Sequence, residues 1–252
     1  MKQKLILIFI LAQSMGFSQE DYSNLDEIKT RLEVLDKNPN AELSTLTTTE
    51  GGKDIYILKI GNGDLNNKPA IAVLGGVEGF HLIGVELALQ FAENLLSDRQ
   101  AAINKTTFYI FPNMSPDAYA QYHSKLKYER RGNASDIDHD RDGRLNEDPY
   151  EDLNRDGLIT QIRIKSPLGK YQIYPDDSRL LIKADTISAK ATRYQVYSEG
   201  VDNDKDGSFN EGLKEGVAFN KSLTYKFPNF QPLAGDFAVS QKESRALLDY
   251  LF

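Results

Sequence analysis

Cysteine is missing from all 252 residues, so no disulfide can brace this chain. Long apolar runs are scarce too. Beyond the first dozen residues no stretch approaches the ~20 apolar residues of a membrane span. Histidine occurs three times, as His81, His123 and His139. Positive charge is in deficit, with 30 Lys and Arg against 37 Asp and Glu and a net charge of −7. An acidic chain with a pI near 5.1 argues against nucleic acid or an anionic membrane as partner.

The first residues carry the one clear targeting signal. Lys2 and Lys4 form a basic head, Leu5 to Ala12 an apolar run, and Ser14, Gly16, Ser18 and Gln19 a small, polar exit. This pattern predicts a secretory signal peptide over 1–19 and an exported protein, periplasmic or secreted. The remaining 20–252, about 230 residues, are enough for one sizeable domain with its own core. A hydrophobic content of 40% and a charged content of 27% are ordinary for a globular fold.

Apolar positions 25, 28, 32 and 35 predict a helix. Glu42–Thr48 and Asp54–Ile60 alternate as strands do. Ala70-Ile71-Ala72-Val73-Leu74 is a continuous apolar run, which predicts a strand covered on both faces. Gly75-Gly76 ends it, an amphipathic helix is expected from Leu82 to Leu96, and Thr106 to Phe111 reads as another buried strand. Strand, helix, strand is the order of an α/β fold. From 130 to 215 the composition turns to Asp, Asn, Gly and Arg, which predicts an Asp/Gly-rich surface insertion rather than a second core. Ser240 to Phe252 reads as a last helix.

Within the insertion one pattern occurs three times. Asp138, Asp140 and Asp142 precede Gly143; Asp152, Asn154 and Asp156 precede Gly157; Asp202, Asp204 and Asp206 precede Gly207. Alternating oxygen side chains followed by Gly match the first half of a calcium loop. The twelfth positions are Pro149, Arg163 and Leu213, so none is a complete EF-hand loop. Glu147, Asp148 and Glu211 are placed to close shorter loops. Calcium would neutralise clustered carboxylates and order a long polar segment that has no disulfide; the other reading is a set of solvated Asx turns.

The chemistry-bearing residues stand where the strand ending at Leu74 meets the next helix, the place where α/β sheets collect ligands. Glu78 and His81 lie three apart and can face one point, and both are ordinary zinc ligand types. Alone, Glu-x-x-His is a weak signal, equally served by helix capping. Its frame, Gly76-Val77-Glu78-Gly79-Phe80-His81-Leu82-Ile83-Gly84, resembles the Gly-x-His-x-x-Glu-x-x-Gly of the zinc carboxypeptidases (the carboxypeptidase A-like metallopeptidases), with the two ligand types exchanged. Three further blocks follow in that family's order. Pro112-Asn113-Met114-Ser115-Pro116-Asp117-Ala118-Tyr119 is similar to Pro-Asn-x-Asn-Pro-Asp-Gly-Tyr. Gly216-Val217-Ala218-Phe219-Asn220-Lys221 is similar to Gly-Val-Asp-Leu-Asn-Arg. Residues 235–247 are similar to Gly-x-x-x-x-Ser-Glu-Pro-Glu-Thr-Arg-Ala-Leu.

The resemblance implies a mixed, mostly parallel sheet with helices on both faces, and a zinc-dependent hydrolase that removes C-terminal residues from peptides or proteins. It implies zinc at Glu78 and His81, an Arg at 130 or 131 that polarises the scissile carbonyl, and Asn220 with Lys221 at the terminal carboxylate. Two departures bear on activity. Lys221 replaces an Arg and loses the two-pronged carboxylate grip. The family's third zinc ligand and its general-base Glu follow the last helix, and neither His123 nor His139 stands in their place. The expectation is therefore an incomplete or inactive form, residues 20–252 being an incomplete carboxypeptidase-like domain. The alternative is a non-catalytic, calcium-stabilised, exported protein that binds peptide ends or glycans.

Overall fold

The computed structural model of the chain describes residues 22–137, 143, 145, 150–184, 191–203, 205 and 216–252. The expected signal segment 1–19 lies outside the described residues, as do Asp138, Asp140, Asp142, Asp204 and Asp206.

Helix α1 (Leu25–Leu35) starts at Asn24, whose side chain accepts from the N–H groups of Asp26 and Glu27 while Glu27 reaches back to the Asn24 N–H. This reciprocal cap satisfies N–H groups that a helix start leaves unpaired. Strands β1 (Ala41–Thr48) and β2 (Asp54–Ile60) form an antiparallel pair. Strand β3 (Ala70–Leu74) leads into helix α2 (Ile83–Asp98), followed by the short helix α3 (Gln100–Lys105) and strand β4 (Thr107–Phe111). The sheet order is β1-β2-β4-β3, with β3 parallel to β4 and the other two pairs antiparallel.

Period-2 alternation sorts the sheet's side chains into two cores. Leu58, Ile60, Phe108 and Ile110 face α1 and α2, where Ile28, Leu32, Val85, Leu89 and Leu96 complete a cluster. Ile55, Ile57 and Phe111 face the other way, onto Met114, Phe219 and Leu247 of the last helix. Helices thus cover both faces, as expected. Two expectations are corrected. The described sheet is mixed with a single parallel pair, because β2 separates β1 from β4 and runs against both. And β3 is an edge strand with Ala70, Ile71 and Ala72 exposed, so its unbroken apolar text is not matched by cover on both faces.

After β4 the chain forms the four-residue helix α4 (Pro116–Tyr119) and a 3-10 turn at Ala120–His123. The segment read as a surface insertion contains a second sheet: β5 (Gln161–Lys165), β6 (Tyr171–Tyr174), β7 (Asp177–Lys183) and β8 (Tyr194–Ser198), in the order β5-β8-β6-β7 and antiparallel throughout. Only Tyr194 among its residues is buried, and the Arg163 guanidinium lies over that ring at 5.5 Å. A 3-10 turn at Phe219–Lys221 and helix α5 (Lys242–Leu251) close the described chain. Among the described residues no helix is long and apolar enough to cross a membrane.

Candidate functional site

The site is built on the turn between β3 and α2. Gly75 donates its N–H to the Phe111 carbonyl at 2.8 Å and accepts from the Met114 N–H at 3.0 Å, which ties the end of β3 to the residues after β4. A Cβ on Gly75 would stand 2.3 Å from the Pro112 carbonyl oxygen, closer than real contacts allow, and Gly76 adopts φ +56, a left-handed conformation that glycine tolerates best. The Ser115 hydroxyl donates to the Val77 carbonyl at 3.0 Å. A Cβ on Gly79 would meet Ala118 at 2.4 Å. The Pro112–Tyr119 block is thus the bed on which residues 75–79 lie.

This clamp directs Glu78 and His81 toward each other. His81 Nδ1 and Glu78 Oε2 are 2.9 Å apart. The other carboxylate oxygen, Oε1, accepts from the Asn220 amide at 2.6 Å, so two segments far apart in sequence meet at one carboxylate. Asn220 sits in the 3-10 turn that Ala218 anchors by donating its N–H to the Leu233 carbonyl at 2.9 Å. Lys221 is beside it, with its ammonium donating to the Pro232 carbonyl at 3.0 Å.

The two arginines separate by their partners. Arg130 donates to the carbonyls of Gly132 at 3.1 Å and Asn133 at 2.7 Å, bonds that fold the chain back on itself. Arg131 lies with its guanidinium 4.9 Å from the Phe80 ring and donates from Nε to Glu129 at 2.7 Å. The Phe80 ring is in turn 4.0 Å from the His81 imidazole. Arg131 therefore borders the Glu78–His81 pair through one aromatic ring, and Arg130 serves as local scaffold.

Behind this surface lies a buried polar knot. The side-chain oxygen of Asn133 accepts from the N–H groups of Ser135 at 3.1 Å and Val217 at 2.9 Å. Its amide donates to Gln241 at 2.9 Å and to Glu243 at 3.1 Å. One side chain thereby joins the arginine segment, the Asn220 segment and the start of α5. Asp117 accepts from the Thr49 hydroxyl at 3.0 Å and the Ala134 N–H at 3.1 Å. Burial raises the Glu243 carboxyl above its ordinary range, and its Oε2 is buried without a partner. Phe80 and the Asn133 role were missed in the sequence. Phe80 falls at a variable position of the motif frame, and Asn133 carries no chemistry of its own. The text Arg130-Arg131-Gly132-Asn133 was the available signal.

Zinc–ligand distances of about 2.0–2.2 Å place two tetrahedral donors roughly 3.3 Å apart. The 2.9 Å between Glu78 and His81 lies within a few tenths of that, so the pair fits two corners of such a site once an ion replaces their hydrogen bond. Among the described residues no group of three or more His, Cys, Asp or Glu comes together. His123 packs its ring against Tyr119 and Tyr122, and His139 lies outside the described residues.

Of the Asp-rich loops, the second is described whole. Asp152 accepts from the N–H groups of Asp156 at 3.1 Å and Gly157 at 2.8 Å; Asn154 accepts from Asp156 N–H at 2.8 Å. Glu199 holds the loop from outside, accepting from the N–H groups of Leu153, Asn154 and Thr160. Hydrogen bonding, first from the Thr160 side chain, keeps that carboxyl below its usual range. The Val201 N–H donates to Glu151 at 3.0 Å, so the second loop lies beside the start of the third, where Asp202 accepts from Lys205 N–H at 2.6 Å.

Comparison with known proteins gives the family and the fold. The family described as zinc carboxypeptidase matches residues 29–251. Carboxypeptidase D of Drosophila melanogaster is 28% identical over 164 residues, which are 59% of this chain and 11% of that protein. The crystal structure of carboxypeptidase A from Helicoverpa armigera superposes with a TM-score of 0.54 at 14% identity, covering 91% of this chain and 42% of that one. That of thrombin-activatable fibrinolysis inhibitor gives 0.51 at 16% identity, covering 91% and 43%. The chain thus spans about a tenth of the curated relative and less than half of either solved structure, and at these identities the superpositions speak for the fold alone.

Proposed function

The chain belongs to the zinc carboxypeptidase family, and from that premise we propose that it carries part of a metallocarboxypeptidase site: Glu78 and His81 as zinc ligands, Arg131 at the scissile carbonyl, Asn220 and Lys221 at the terminal carboxylate. The convergence of His81 and Asn220 on the two oxygens of Glu78 carries this reading. Zinc bound there would act as a Lewis acid on a peptide carbonyl and lower the pKa of a water. Arg131 is supported for the role of meeting a developing oxyanion by its guanidinium on the Phe80 ring that lies against His81; Arg130 is bonded to two backbone carbonyls. Asn220 brings an amide donor that reaches Glu78 and could turn to a carboxylate beside it. Lys221 brings a positive charge without the fork of an arginine.

Two protein ligands hold zinc poorly, since such sites normally take three and a water. The reading assigns the third ligand and the general base to a part of the fold this sequence does not include, in keeping with the share of the solved relatives it spans. The substrate is a peptide with a free C-terminus, and the protein acts outside the cytoplasm, a reading supported by the basic head and apolar run of residues 2–12. Calcium at the Asp-rich loops orders the insertion, a reading supported by the alternating oxygen side chains before Gly that occur three times there.

The test is equilibrium binding of matched acyl dipeptides, one with a free acid and one amidated, to the zinc-supplemented chain. The acid is expected to bind more tightly, with Asn220→Ala removing the difference, and no C-terminal amino acid is expected to be released. Equal binding of acid and amide contradicts the carboxylate assignment. Chelator-sensitive release contradicts the assignment of the base to another part of the fold. A second reading, binding without hydrolysis, is favoured by one observation: Glu78 and His81 satisfy each other directly.

A further inference from the structure

A cavity of about 370 Å³ has Phe80, the neighbour of the His81 imidazole, as one of its walls. Its walls are Phe80 and Leu82 from the β3–α2 turn, Ala118 and Tyr122 from α4 and the following 3-10 turn, and Tyr128. We propose that this cavity is a side-chain subsite for a large apolar, preferably aromatic, residue of the peptide on the amino-terminal side of the attacked carbonyl. The inference rests on the peptide-end reading above and deepens it.

Position comes first. Asn220 occupies one side of Glu78, and His81, Phe80 and Arg131 follow one another on the other. A peptide with its terminal carboxylate at Asn220 and its carbonyl beside Arg131 would run toward the Phe80 ring, on which the Arg131 guanidinium lies. Phe80 is also a wall of the cavity, and this shared ring is the link between the two.

Chemistry selects the occupant. Three charged residues line the cavity, and each is already engaged. The Lys127 ammonium lies 5.0 Å from the Tyr122 ring centroid, Glu129 accepts from Arg131, and Arg130 is held by two backbone carbonyls. Recognition is left to the rings of Phe80, Tyr122 and Tyr128 and to Leu82 and Ala118. Aromatic rings meeting edge to face gain beyond their area burial, and a pocket mostly apolar with a polar rim is the ordinary form of a side-chain site. Tyr128 is stacked on Tyr150 with centroids 3.9 Å apart, which fixes that wall in place before any ligand arrives.

The experiment uses the full chain and three probes, followed by the chemical shifts of Tyr122 and Tyr128 and by calorimetry. Acetyl-Phe-Gly-Leu and acetyl-Gly-Gly-Leu differ only upstream; acetyl-phenylalanine methylamide carries the aromatic side chain and no carboxylate. Partial burial of one phenyl ring corresponds to about tenfold in affinity, so the Phe peptide should bind about tenfold tighter than the Gly peptide. Tyr122→Ala, a change at a half-exposed position, should erase that advantage and leave the Gly peptide unaffected. The methylamide should shift Tyr122 and Tyr128 at millimolar concentration. Shifts from the methylamide without any gain from a free carboxylate would overturn the peptide-end reading and keep the cavity. Equal binding of the two peptides, an advantage that survives Tyr122→Ala, or a methylamide that leaves both tyrosines unmoved overturns the subsite.

Discussion

The sheets β1–β4 and β5–β8 are each four strands wide, yet they are made on different terms. In the first, the central strands β2 and β4 are covered on both faces, and Ile55, Leu58, Ile60, Ile110 and Phe111 are fully enclosed. In the second, Ile162, Ile164, Leu180, Ile182 and Tyr197 are exposed, and order comes from ladder hydrogen bonds and carboxylates such as Glu199 that cap loop N–H groups. The hydrophobic effect holds one region, and local polar bonding holds the other. The candidate site is mounted on the first, where the β3–α2 turn is clamped between packed layers; among the described residues the side chains of Glu78 and His81 meet Asn220, Phe80 and each other.

Five perturbations test that contrast. The largest effect is expected from Ile110→Ala, which should cost about 2–5 kcal/mol through lost burial and a residual cavity. Ile164→Ala in β5 should fall within about 0.5 kcal/mol, as exposed substitutions do. Urea denaturation of both variants decides this, and a large loss at Ile164 would mean the second sheet has a hidden core. Next comes Gly75→Ala, whose Cβ would strike the Pro112 carbonyl. Overpacking of that kind costs about 1–3 kcal/mol, and zinc binding should fall with it, seen in parallel melts and metal titrations.

A smaller effect concerns the knot behind the site. Glu243 has a raised carboxyl pKa in the folded chain, so between its unfolded value and its folded one the native state holds the extra proton. Stability is then full below the unfolded value and declines as pH rises through the folded one. Glu243→Gln keeps an acceptor for Asn133 and should flatten that decline, raising stability at neutral pH relative to the parent. A pH series of denaturation midpoints that stays parallel for both proteins would refute it. The smallest effect on overall stability is expected from calcium removal. Protease cleavage between 130 and 215 should speed up several-fold, with the β1–β4 region still protected. Uniform loss of protection would show that the two regions depend on each other.

The same contrast explains what could be read from the residues alone. Elements of the first region announced themselves because burial imposes a period: α1 and β2 occupy their expected spans, and α2 and α5 start within two residues of theirs. β5 has a period as well, with Ile162 and Ile164 set between Gln161, Arg163 and Lys165. It was passed over because five alternating residues amid Asp-Gly turns weigh little against the composition of the whole segment. The edge position of β3 was not legible, because strand order is a property of pairing and leaves no mark on Ala70–Leu74. At the site, Glu78, His81, Asn220 and Lys221 were singled out through motif frames, and the structure adds that Asn220 bonds to Glu78. Arg130 and Arg131 are adjacent and alike in the sequence, and only the fold gives them different partners.

Zinc chemistry in this chain turns on whether Glu78 and His81 act as one metal-holding pair. The direct measurement is a zinc titration against a chromophoric chelator, with calcium in millimolar excess to occupy the Asp-rich loops, on the parent chain and on Glu78→Ala and His81→Ala. The account predicts one zinc per chain, weakened more than about tenfold by either substitution. No zinc uptake by the parent, or uptake that neither substitution changes, would contradict it.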